Sequence, residues 1–328
     1  MTTAIEKTTL IGTRVPKPDA LDKAVGRTRY INDMRLPLML IGKILHADRP
    51  HARIKRIDKT AAEALPGVHA VLTGRDLPPL RFGIGKDNTP LKADKVSCIR
   101  DEVAAVAAES EAVADAALAL IEVEYEDLPA VFSVHDALAD GAPVVDEAHP
   151  DNIGLKYKFE HGDIAAGEGD SDTVLETTFQ LPYVTHCCMG TSCAIADFGA
   201  DGKLTIYSQT QYPYNFKMDL APALGIHPGD IRVIQPPVGG AFGSKLDVYP
   251  FEPICVLLAR ATGRPVKLLF DREEEFINAP TRQPVEIRLR SGVQRDGTLT
   301  FRDVDSLLNN GAHTSWGATT PYEMMRTF

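Results

Sequence analysis

Apolar and polar residues exchange places at two periods along this chain, and the changes of period mark its elements. From residue 51, ARIKRID, TAAEALPG and VHAVLT read as a strand, a short helix opened by a capping box at Thr60 and Glu63, and a second strand. After a polar loop over 84–95 the same order returns as VAAVAAES, EAVADAALAL and IEVEYEDL. These two strand-helix-strand passages predict one small α+β domain ending near Asp140. Neither passage sets a glycine-rich turn between strand and helix, so the unit is not read as a dinucleotide-binding fold.

Beyond 140 the pattern changes character. Residues 141–164 are rich in turn formers, lack a period, and read as a linker over a surface. VLETTFQLPY is a strand, KLTIYSQ follows the Asp201-Gly202 turn as another, and NFKMDLAPALG is a short helix closed by Gly225. DIRVIQP is a strand that runs directly into PVGGAFGSK. In YPFEPICVLLARATGRP, Phe251, Ile254, Cys255 and Leu258 form one helical stripe, with Gly263 at the C-cap and Pro265 beyond it. VKLLF is the next strand, and VEIRLRSGV and TLTFRDVDSLL form a hairpin through Asp296-Gly297. The organisation expected is an arm over 1–37, a first domain over 38–140, the linker over 141–164, and a mixed sheet with helices over 165–328. The last stretch, TTPYEMMRTF, carries no polar tail, which reads as a fragment or as a surface covered by another chain.

Composition narrows the class. With 44% hydrophobic and 24% charged residues in 328, the chain has the makings of a folded protein of two or three domains. A formal charge of −10 disfavours a broad nucleic-acid phosphate surface. The start lacks a basic segment followed by an apolar run, and no 18-residue apolar window spans a membrane, so a cytoplasmic location is the default expectation. Cysteines stand at 98, 187, 188, 193 and 255, an odd count without a CxxC pair. That argues against a disulfide framework and against an iron-sulfur cluster held by this chain alone. In CCMGTSC, metal ligation and plain packing both stand, with packing favoured; if the run is a strand, Cys187 and Cys188 point to opposite sides.

The candidate chemistry centres on PVGGAFGSK. A nucleotide loop of the form GxxxxGK[ST] beginning at Gly239 would need glycine at 244 and serine or threonine at 246, where the chain has Ser244 and Leu246. The glycines instead let several backbone N–H groups converge on an anion or on the polar edge of a cofactor, or simply make a tight strand-to-helix turn. Phe242, between Gly240 and Gly243, is placed to stand at the loop's mouth and pack a planar substrate. Lys245 either neutralises a phosphate or faces solvent. His186 is a base, a ligand or a satisfied strand histidine. Gln209, Thr210 and Gln211 offer amide and hydroxyl groups after a strand, and Asp271 to Glu275 read as a solvated turn in which Arg272 pins carboxylates. His46, His51, His186 and His313 lack a spacing such as HExxH, and no nucleophile-base pair emerges.

The chain resembles the first part of the molybdopterin-binding large subunit of the xanthine dehydrogenase and aldehyde oxidase family, the molybdenum hydroxylases. GTRVPKPDALDKAVGRTRYINDM resembles the family's entry segment, and HADRPHARIKRIDKTAAEALPGVHAVLTGRDLP its a/b hammerhead domain. KVSCIRDEVAAVAAES continues that domain, with Asp101 where a glycine is usual. FEHGD resembles the joint to the molybdopterin-binding region, PPVGGAFGSK its GGxFGxK loop, and LARATGRPVKLLFDREEEFINAPTRQP the stretch that follows.

The resemblance implies an α+β fold, a hammerhead followed by the first part of a molybdopterin-binding domain, and a molybdenum pterin cofactor, often a cytosine dinucleotide in bacteria. It places Gly239, Gly240, Ala241, Phe242, Gly243 and Gln211 at the cofactor, with no metal ligand from a protein side chain. It places Phe242, Leu246, Val184 and Gly190 at the substrate pocket. Val184 precedes Thr185-His186 where xanthine-type relatives have glutamine, Gly190 stands where many have glutamate, and Leu246 replaces a substrate-facing glutamate. A less polar substrate than a purine is therefore implied. The family's base is a glutamate near the far end of the large subunit, beyond these residues. The expected partners are a second molybdopterin-binding subunit or C-terminal half, an iron-sulfur (2Fe-2S) subunit and an FAD subunit. The function implied is hydroxylation or dehydrogenation of an aromatic, N-heterocyclic or aldehyde substrate. Reductase or hydratase chemistry on the same scaffold, and a non-catalytic assembly subunit, are the alternatives.

Overall fold

A computed structural model describes residues 11–326 of the chain. In the first region run α1 (Ala20–Ala24), β1 (Leu40–His46), β2 (Ala52–Asp58), α2 (Thr60–Glu63), β3 (Val68–Thr73), β4 (Lys95–Val96), β5 (Glu102–Ala108), α3 (Glu111–Leu118), β6 (Glu122–Asp127) and α4 (Val134–Ala137). After the irregular stretch come α5 (Ile164–Gly169), β7 (Thr173–Leu181), β8 (Cys193–Phe198), β9 (Leu204–Ser208), α6 (Pro213–Leu224), β10 (Ile231–Ile234) and α7 (Phe251–Thr262). The chain then forms β11 (Val266–Leu269), α8 (Arg272–Asn278), β12 (Val285–Val293), β13 (Leu299–Leu308) and α9 (Thr320–Met325).

The expected first domain does not close on itself. Its β1, β5 and β3 continue a seven-stranded sheet, ordered β10-β9-β8-β11-β1-β5-β3, whose other strands come from beyond residue 192. The junction is the parallel pair β1/β11, with Leu40 opposite Val266 and Gly42 opposite Leu268. The remaining strands of the first region form a small sheet, β4-β2-β6. LIGKILH and CAIADF, the strands β1 and β8 beside that junction, are short and apolar, and no helical or amphipathic period predicts either of them.

Alternation explains how one strand serves two layers. On β5, Ala105 and Ala107 join the core under α6 and α7, while Ala104, Val106 and Ala108 join the core under α2 and α3. Small side chains on both faces let helices approach from either side. Helix α7 is buried from Phe251 to Ala259, so it is an interior helix rather than the one-striped helix expected, and Gly263 ends it in the left-handed conformation as its C-cap position predicts.

Two further expectations are corrected. The 285–308 hairpin leaves the large sheet and pairs with β7 over the full register Thr173 to Leu181, giving a separate sheet β13-β12-β7. The Thr60/Glu63 capping box does not form: Lys59 is the N-cap of α2, and Asp58 Oδ1 accepts the Thr60 N–H at 3.0 Å instead. A carboxylate two residues upstream reaches the first free amide more directly than the threonine hydroxyl.

Candidate functional site

Strand β10 delivers the chain into the loop 237–245, and β9 brings Gln209 to Gln211 beside it. The loop is held by two side chains, one exposed and one buried. Gln211 Oε1 accepts the Gly243 and Lys245 N–H groups at 3.0 and 3.3 Å, and the Gln211 N–H donates to Lys245 O at 2.8 Å. Lys245 neither faces solvent nor reaches outward to an anion. It folds back into the protein, buried, and its Nζ donates to Gly190 O at 2.9 Å and Gln209 Oε1 at 2.6 Å. Burial lowers the pKa of this ammonium. Gln209 and Thr210, read as a polar edge, are buried with it.

What the loop turns outward is Phe242. Its ring is 74% exposed and its backbone sits at φ +53°, between Gly240 at +104° and Gly243 at +100°. A non-glycine residue in that region is strained by about 1–3 kcal/mol, a cost that surrounding structure must hold in place. Among the described residues, no hydrogen bond to protein is made by the Gly240 or Phe242 N–H.

A second segment backs the loop, and no periodicity announced it. Residues 186–190 run alongside 239–243 in opposite order. His186 Nε2 lies 3.7 Å from where a Gly243 Cβ would be. Cys188 Sγ lies 3.5 Å from Ala241 O and 3.4 Å from Ser244 Oγ, and the Gly190 N–H donates to Gly239 O at 2.9 Å. The run is a turn rather than the strand considered for the cysteines: Cys187 has φ +48° and is exposed, while Cys188 is buried against the loop. Cys193 is buried on β8 in a different core, so the three cysteines pack separately. His186 Nδ1 lies 3.2 Å from Pro280 O, a carbonyl that only accepts, so Nδ1 carries the hydrogen of that contact.

The other candidates divide. Val184 is exposed and forms an isolated bridge with Arg282, and Leu246 is half-buried after the loop. At Gly190 a Cβ would meet Gly239 Cα at 3.0 Å, so this half-buried glycine makes a close backbone contact with the loop. The acidic run is a correction as well. Asp271 caps α8, with its carboxylate accepting from Glu274 N at 2.8 Å, and Glu275 is buried with Oε2 accepting the Ser192 N–H at 2.6 Å. Among the described residues Arg272 pins no carboxylate; it donates to backbone carbonyls of the 186–190 turn.

Residues 145–328 match the molybdopterin cofactor-binding domain, and residues 25–129 match the aldehyde oxidase and xanthine dehydrogenase a/b hammerhead domain. The chain belongs to the aldehyde oxidase and xanthine dehydrogenase family. It is 38% identical over 92% of its length to a probable xanthine dehydrogenase subunit of Bacillus subtilis (strain 168), covering 40% of that protein. It is 33% identical over 94% of its length to the nicotinate dehydrogenase large molybdopterin subunit of Eubacterium barkeri, covering 72% of it. The crystal structure of quinoline 2-oxidoreductase from Pseudomonas putida 86 superposes with a TM-score of 0.85 at 32% identity, over 92% of this chain and 39% of that one. The chain thus spans less than half of two of these relatives and most of the third.

The loop's donor set fits the cofactor this family domain is named for. A pterin with an anionic tail would take N–H donors from a glycine-rich backbone, and a loop with Gly240 and Gly243 in the left-handed region is of the kind that can present them. Beneath, Glu252 at the start of α7 accepts from Ser208 Oγ at 2.6 Å and from Tyr249 N at 3.0 Å. Burial pushes its pKa up to about 8.

Proposed function

We propose that this chain forms the loop side of a molybdopterin site in an oxidoreductase acting on an aromatic, N-heterocyclic or aldehyde substrate. The observation that carries the reading is Phe242: a large ring held exposed on strained backbone, by a loop braced by Gln211 and by the buried Lys245. The names of the nicotinate and quinoline relatives favour N-heterocycles. When bound, the cofactor supplies two-electron redox chemistry at molybdenum. The protein supplies orientation and electrostatics. The backbone of Gly239 to Gly243 receives the cofactor's polar edge, while Gln211, with Oε1 committed to the loop, keeps its Nε2 donor for the cofactor. Phe242 packs the flat face of the substrate, with Val184 and Leu246 as apolar neighbours.

The proposal extends to a complex. The base, the remaining cofactor contacts, a 2Fe-2S cluster and FAD would come from other parts of it, and the pterin would carry a cytosine dinucleotide. The exposed apolar residues Leu175, Phe179 and Leu181 of β7 support burial against such a partner. Purification of the complex from its host, with molybdenum, iron and flavin measured per assembly, tests this. Near-stoichiometric molybdenum with iron-sulfur and flavin subunits is expected, whereas an intact, cofactor-replete assembly lacking molybdenum would sink it. In the assembled enzyme, Phe242→Ala is expected to cut kcat/KM by about tenfold or more and to change substrate preference. Unchanged values would remove Phe242 from the pocket.

A further inference from the structure

Helix α8 reaches the cofactor loop at second hand. Asp271 and Glu274 cap its first turn reciprocally, each side chain accepting the other's N–H at 2.8 Å. That cap fixes the backbone from which Arg272 projects. Its Nη1 donates to Cys188 O and its Nη2 to Met189 O, both at 2.7 Å, and its guanidinium lies 6.0 Å from the Phe276 ring centroid. One turn later Glu275 takes the Ser192 N–H. At the far end, Asn278 Nδ2 lies 3.4 Å from His46 Nε2 on β1. The helix therefore grips both ends of the segment 188–192 and is itself tied to the central sheet.

Two successive carbonyls directed to one side leave acceptors that a planar fork matches and a single ammonium does not. The gripped turn is what the loop leans on. Cys188 Cβ lies 3.7 Å, and the Phe242 ring 3.1 Å, from the position a Gly240 Cβ would occupy, and Gly190 and Gly239 meet backbone to backbone. We propose that Arg272 is a positioning residue of this site: its fork fixes the Cys188-Met189 turn, and the turn sets where Gly239 to Phe242 stand. A substrate readout of this role rests on the proposed function; a thiol readout does not.

The experiment uses the native complex carrying Arg272→Gln or Arg272→Lys. Iodoacetamide labelling is resolved by tandem mass spectrometry into Cys188, 2% exposed, and its exposed neighbour Cys187, which serves as the reagent control. Nicotinate and benzaldehyde are the turnover probes. Arg272→Gln is expected to speed Cys188 labelling about tenfold or more through local opening, with a smaller rise in Arg272→Lys. KM for the probe that turns over is expected to rise about threefold or more, with kcat changed less. Unchanged protection of Cys188 in both variants overturns the inference whatever the activity. A lower kcat at unchanged KM also overturns it, because loss of folded enzyme removes sites without altering those that remain. If neither probe turns over in the unmodified complex, the proposed function suffers and labelling alone decides on Arg272. If Arg272→Gln fails to assemble, Arg272→Lys decides by the same two measurements.

Discussion

Glycine at 190 illustrates how a residue without a side chain directs a site. Its N–H bonds to Gly239 O and its α-carbon faces Gly239 closely enough that an added methyl meets Cα at 3.0 Å. Gly190→Ala should cost about 1–3 kcal/mol by overpacking, read from the denaturant midpoint of the folded chain in its complex. A change under about 0.5 kcal/mol would show that the two backbones part easily. Glu252 makes the second residue-level prediction. Its folded pKa of about 8 lies above the ordinary 4.5, so the folded state holds the proton more tightly. Its contribution to stability is complete below pH 4.5, falls as pH rises toward 8, and is flat above that. Stability measured between about pH 5.5 and 8.5 should decline, and Glu252→Gln should flatten the decline.

Helix α8 shows what the element scale adds. DREEEF reads as a solvated charge run, because four carboxylates in five residues rarely share a buried place. The fold uses them separately: Asp271 and Glu274 cap, and Glu275 is buried on the Ser192 amide. Removing the cap with Asp271→Ala should cost about 1 kcal/mol and loosen the helix start. Hydrogen exchange at the amides of Glu273 and Glu274 would report it, and unchanged exchange there would argue that Arg272 and Glu275 hold the helix without the cap. Elements with a strong period or a glycine stop, such as α6 ending at Gly225 and the hairpin turning at Gly297, were legible in advance. Strands β1 and β8 were not, since short apolar runs carry no period and take their identity from the neighbours they pair with.

Across the whole molecule, one strap stitches the regions together. In the segment after β13, His313 Nε2 lies 2.6 Å from Asp101 Oδ1, the Thr314 N–H donates to Asp87 Oδ2 at 2.6 Å, and Ser315 Oγ donates to Asp247 Oδ2 at 2.9 Å. Asp101 is fully buried, which alone would raise its pKa, but Lys92 at 3.7 Å, His313 and the Ser97 N–H hold it well below the usual carboxylate range. Its stabilisation is therefore present above about pH 4 and lost as pH falls further. Asp101→Asn should cost about 3–5 kcal/mol by leaving Lys92 and His313 without their shared anion. Thermal unfolding of the complex at about pH 7 would measure it, and an unaltered midpoint would show the strap held by its other bonds. The thiol, carboxylate and imidazole of Cys98, Asp101 and His313 come within 4.8 Å of one another, yet the Lys92 ammonium beside Asp101 makes the group an ion-pair node.

Local signals carried the family, the glycine loop, its outward phenylalanine and most strand-helix boundaries, because each depends on residues near in sequence: turn glycines, caps and collinear motifs. The sheet that joins β1 to β11, the turn of 186–190 behind the loop, the inward fold of Lys245 and the reach of Arg272 link residues between 49 and more than 200 positions apart. No local period encodes such pairs. They form when burial leaves a carbonyl or an ammonium with only a few partners in reach, and that choice belongs to the packed chain.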